Sequence, residues 1–184
     1  RINEQQNIRT IEISENPSFP CHPQALISKS AFRNRKSEIK MYLNCHSYYS
    51  LRYGTLPVEK LADMAVASGI DTLALTDINN SMGMVDFVKA CNKNGVKPIA
   101  GIEFRDGNKL LYTGIARNNL GFMELNEFLS YHNINHLPLP EHAPVFSHCI
   151  VIYPFGEKTP GQLSENEYTG IRSTELNRLL SSDY

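Results

Sequence analysis

From residue 41 to about residue 181, short apolar runs alternate with stretches of helical period, and this alternation limits the architectures open to the chain. Residues 41–45, 71–76, 96–104, 109–116, 149–153 and 168–171 read as strands, rich in Leu, Ile, Val and Tyr. The first helix follows Thr55, a suitable cap, with Pro57 in its first turn and Glu59 near its positive end. Leu61, Ala62, Ala65 and Val66 supply its apolar face, and Gly69 stops it. Residues 84–94 form a second helix, with Val85 and Val88 expected to face inward. Residues 120–131 form a third, with Phe122, Leu125, Phe128 and Leu129 on one side, and residues 174–181 a fourth. Asp106, Gly107 and Asn108 make a hairpin turn between two strands. Strand–helix alternation with crossovers of this length predicts an α/β fold with a parallel sheet.

Residues 1–40 show no sustained period and are interrupted by Pro17, Pro20 and Pro23. They are expected to be a mobile extension or upstream sequence, with the domain proper in residues 41–184. Charge divides at the same place: +3 over residues 1–40 and −4 over residues 41–184. The larger part therefore lacks the basic footprint of a duplex-binding surface. No apolar run approaches the roughly 20 residues of a membrane span. Cys21, Cys45, Cys91 and Cys149 include no CxxC pair, which argues against a disulfide framework or a thiolate zinc site and suits a reducing cytoplasm. Neither GxGxxG nor GxxxxGK[ST] occurs, so dinucleotide and P-loop binding lack support.

Ligands of parallel α/β folds gather at the carboxyl ends of strands. His46 follows the first strand, Asp77 the second, and Glu103 lies near the end of the third. An imidazole and two carboxylates suit zinc, manganese or iron, ions that activate water for phosphate ester hydrolysis. Simpler roles compete. An Asp directly after a strand is commonly a turn residue, and a His among Ser and Tyr is commonly a structural hydrogen-bonding group. Cys45 beside His46 does not make a nucleophilic pair, since neighbours on a strand point to opposite faces.

Three segments carry a resemblance when taken in order: His46-Ser47-Tyr48-Tyr49-Ser50-Leu51-Arg52-Tyr53-Gly54, Ala74-Leu75-Thr76-Asp77-Ile78-Asn79-Asn80-Ser81-Met82-Gly83, and Val96-Lys97-Pro98-Ile99-Ala100-Gly101-Ile102-Glu103. Their order and spacing resemble the PHP (polymerase and histidinol phosphatase) domain family, most closely its branch at the N-terminus of bacterial DNA polymerase III alpha subunits. The segment from Leu111 to Asn126 is similar to the next strand and helix of that branch. The resemblance implies a distorted seven-stranded β/α barrel, and with so few strands legible the chain is expected to be truncated at its C-terminus. It also implies a role in DNA replication within a DNA-directed DNA polymerase. The implied partners are the remainder of the alpha subunit and a proofreading exonuclease subunit, with DNA reached through the parent protein and no membrane.

Active members of the family carry a trinuclear metal site of His, Asp and Glu. This sequence departs from that pattern. Asn44 stands where the first motif has a histidine, Tyr53 where an acid precedes the glycine, and Ile78 and Leu111 where further histidines are usual. His46, Asp77 and Glu103 remain as candidate metal residues. Replacing imidazole by an aliphatic side chain removes a ligand and adds an apolar wall. The expectation is a vestigial site with no catalytic residues and no cofactor beyond a weakly held divalent metal (Zn, Mn or Fe), and a structural or partner-docking role. The alternative is a free-standing metal-dependent phosphoesterase of the histidinol-phosphatase type.

Overall fold

A computed structural model of the chain describes residues 10–15, 24–28 and 41–180. Among the described residues are eight strands: β1 (Thr10–Glu15), β2 (Gln24–Ser28), β3 (Met41–Asn44), β4 (Thr72–Leu75), β5 (Lys97–Asp106), β6 (Lys109–Ala116), β7 (Cys149–Pro154) and β8 (Glu167–Arg172). The helices are α1 (Val58–Ala67), α2 (Met84–Lys93), α3 (Asn119–Ile134) and α4 (Leu176–Leu180). The α/β class and distorted-barrel character expected from the sequence are those of the structure. β3 to β8 form a curled six-stranded sheet. β1 and β2 join its two edges, so that the ring holds eight strands in chain order.

The parallel pairing expected from the alternation holds for β3–β4–β5 and for β7–β8. β6 departs from it, running antiparallel to both neighbours. A hairpin with Gly107 at φ 54° returns the chain at once, so no crossover helix is needed. Residues 1–40 contribute strands at both edges. β1 pairs parallel to β8 and antiparallel to β2, and β2 pairs antiparallel to β3. The rest of that segment lies outside the described residues.

Helices cover the outside of the sheet. α1 and α2 bury Leu61, Ala65, Phe87 and Cys91 against Leu73 and Leu75 of β4. α3 buries Leu125 and Leu129 against Phe104, Tyr112 and Tyr153. Each such leucine contributes roughly 2 kcal/mol by leaving water. Two helix faces differ from expectation. Val66 is 50% exposed and Val85 64%, because the buried stripe of α1 runs through Val58, Leu61, Ala62 and Ala65, and that of α2 through Met84, Phe87, Ala90 and Cys91. Thr55 is not the cap of α1; Pro57 takes that position, with no side-chain bond. α3 starts on a true cap, Asn118, whose side chain accepts from the Gly121 N–H at 3.0 Å. No helix among the described residues is long and apolar enough to cross a membrane.

Candidate functional site

β3, β4 and β5 run parallel, so their carboxyl ends meet at one rim of the barrel. Hydrogen bonds beyond the strand ends fix the loops there. Thr76 N–H donates to Cys45 O at 2.9 Å, and Cys45 N–H donates to Thr76 Oγ1 at 3.1 Å. The Thr76 hydroxyl in turn donates to Asn44 Oδ1 at 2.5 Å. This lock places Cys45 fully in the core under α1, while His46 lies at the rim. The opposite facing expected for these neighbours is what the structure has.

Asp77 turns toward the loop after β3. Its Oδ1 accepts from Ser47 N–H at 2.7 Å and from the Ser50 hydroxyl at 2.6 Å, and its Oδ2 accepts from the Ser47 hydroxyl at 2.6 Å. Ser50 Oγ also accepts from Ile78 N–H at 2.9 Å. Asp77, only 1% exposed, thus acts as a buried clasp on residues 47–50. Gly54 closes the same turn by donating to Ser50 O at 2.9 Å.

Glu103 has a different set of partners. Asn44 Nδ2 donates to its Oε2 at 2.7 Å, and Arg105 Nε donates to its Oε1. His46 Nε2 lies 3.2 Å from Oε2, an ion-pair distance but outside hydrogen-bond geometry. Arg105 is itself fixed. Its guanidinium carbon sits 4.4 Å above the Tyr53 ring centre, and Nη1 donates to Tyr53 OH at 3.2 Å and Asn108 O at 3.1 Å. The Asn79 amide clasps its backbone, accepting from the N–H at 2.9 Å and donating to the C=O at 2.8 Å. A cavity of about 140 Å³ adjoins this group, bordered by Asn44, Leu110 and Thr113.

Burial of Glu103 favours its neutral form, but His46, the Arg105 charge and the Asn44 amide outweigh it and hold the carboxyl at about 2. A depressed carboxyl stabilises the fold above its unfolded value of 4.5, and that contribution is lost as pH falls toward 2. The shift corresponds to about 3 kcal/mol. Denaturant unfolding at pH values above and below this window should show a loss of that size in the wild type. Glu103→Gln should lack this part of the pH dependence. Parallel pH profiles for the two proteins would contradict it.

The structure therefore brings His46 and Glu103 together and turns Asp77 onto the serines. Pairing of β5 with β6 shifts between Phe104 and Arg105, so that Leu110 rather than Leu111 lies opposite Arg105, while Thr113 lies opposite Glu103. Leu111 packs in the apolar cluster with Phe104 and Tyr112. A bulge changes which side chains reach a face.

A model of the PHP domain matches residues 43–150, more than half of the chain. The chain belongs to the PHP domain family. Over 61 residues it is 48% identical to the DNA polymerase III subunit alpha of Chlamydia muridarum, covering 33% of this chain and 5% of that protein. Over 99 residues it is 36% identical to the DNA polymerase III subunit alpha of Staphylococcus aureus, covering 52% of this chain and 9% of that protein. These matches span less than a tenth of the relatives' length. Among solved structures, a proposed metal-dependent phosphoesterase from Bifidobacterium adolescentis aligns at 20% identity with a TM-score of 0.42, covering 52% of this chain and 32% of the other.

All the rim residues of this PHP domain fall within the matched span. Sequence reasoning missed Arg105, Asn79 and the roles of Ser47 and Ser50. Arg105 had a legible signal, since residues two apart on a strand share a face and Glu103 precedes it by two. The serine clasp had none, because its acceptor lies 27 to 30 residues away.

Proposed function

We propose that this chain is the PHP domain of a DNA polymerase III alpha subunit, serving DNA replication through a structural or docking role rather than hydrolysis. The support is the state of its two rim carboxylates. Every oxygen of Asp77 and Glu103 already accepts from a protein donor. Asn44 Oδ1 is likewise engaged by Thr76. Among the described residues, no three His, Cys, Asp or Glu side chains are grouped to hold an ion. A multinuclear centre needs several free donors per ion, and this donor set does not fit one. His46, Asp77 and Glu103 are read as vestiges, with His46 and Glu103 able to hold at most one zinc, manganese or iron ion weakly.

On this reading residues 41–184 form the domain and residues 1–40 an extension that lends two strands. The partners are the remainder of the alpha subunit and a proofreading exonuclease subunit. DNA is met through the parent protein, a DNA-directed DNA polymerase of the cytoplasm and a nucleotidyltransferase by activity. The relatives' shared name supports this assignment. The competing reading is a free-standing phosphoesterase. Hydrolysis of p-nitrophenyl phosphate with added manganese separates the two. The expected rate is that of buffer, unchanged by His46→Ala; turnover that His46→Ala abolishes would overturn the proposal.

A further inference from the structure

We propose that Arg105 is the resident cation of this site, so that removing it would open a divalent-cation site on His46 and Glu103. The inference rests on the reading that the metal centre has lapsed. Glu103 is fully buried, and a buried carboxylate needs a positive partner as well as donors. Arg105 supplies that charge from a side chain only 12% exposed. It is preorganised to do so, with its backbone held by Asn79, its plane on Tyr53 and Nη1 on Asn108 O. Few rotamers remain to be lost when Nε meets Glu103.

The guanidinium and a divalent ion exclude each other. An ion held between His46 and Glu103 would sit against the fixed positive charge that Arg105 places on the same carboxylate. Deleting that side chain frees Oε1, while His46 Nε2, buried and without a hydrogen-bond partner, stays within 3.2 Å of Oε2. An imidazole nitrogen beside a carboxylate is a donor pair suited to zinc or manganese. Asp77 is not recruited, because its clasp on Ser47 and Ser50 does not involve Arg105.

The test is thermal unfolding with and without zinc chloride, together with equilibrium dialysis, on the whole chain. Metal-free Arg105→Leu should melt below the wild type. Zinc should raise its midpoint by several degrees and leave the wild type unmoved, with about one zinc ion held per variant chain. Adding His46→Ala should abolish both effects. Arg105→Gln, which keeps an amide donor for Glu103 but loses the charge, gives the same comparison if the leucine variant does not fold. Zinc-indifferent behaviour of the variants, with an equally indifferent wild type, would overturn the inference and leave the lapsed-site reading standing. Tight zinc binding by the wild type itself, retained through gel filtration, would overturn that reading.

Discussion

Gly54→Ala is expected to cost about 4 kcal/mol or more, the largest effect of any single methyl group in this domain. A Cβ at residue 54 would stand 1.9 Å from Ser47 O, 2.4 Å from Ser47 C and 2.8 Å from His46 O. All three atoms are backbone, so no rotamer change relieves the overlap. The turn would have to open, and with it the Ser50 O bond to Gly54 N–H and the clasp of Asp77 on residues 47–50. In a domain of this size the melting midpoint should fall by roughly 10 °C or more. Gly161, with open space around its Cβ position, is the control and should accept alanine with little change. Equal midpoints for Gly54→Ala and Gly161→Ala would show that the turn is not packed as described.

Asp77→Ala is the second large effect, expected to destabilise by about 3 to 5 kcal/mol in urea unfolding. One substitution deletes an acceptor of three hydrogen bonds and strands the Ser47 N–H and two serine hydroxyls in a buried place. Asp77→Asn keeps one acceptor oxygen and should fall between alanine and the wild type. The cost arises from the fold, so it should be the same with chelator or with added zinc. A stability loss that appears only in the presence of metal would instead make Asp77 a ligand.

These two residues show what a sequence discloses and what it withholds. Turn chemistry was legible. Gly69 ends α1 at φ 65°, and β6 spans the residues read from the pattern that follows the 106–108 turn. The family motifs placed His46 and Glu103 at one rim. Partners far along the chain were not legible. β1 pairs with β8 through Thr10 and Thr169, and no local period announces a strand whose partner is that distant. The direction of Asp77 depends on where residues 47–50 lie, and the side chain opposite Arg105 depends on a bulge in β6. Val85 failed for a simpler reason: an isolated valine fits a helical period in either of two adjacent phases, and Met84 and Phe87 took the buried one.

If protein groups, Arg105 foremost, have taken over the carboxylates that a metal cluster would need, the purified protein should carry almost no metal. Elemental analysis tests it most directly. The protein should be purified from cells grown with zinc, manganese and iron, and freed of loosely held ions by gel filtration. Far less than one ion of any of the three per chain is expected. One or more ions retained per chain, and lost in His46→Ala, would contradict it.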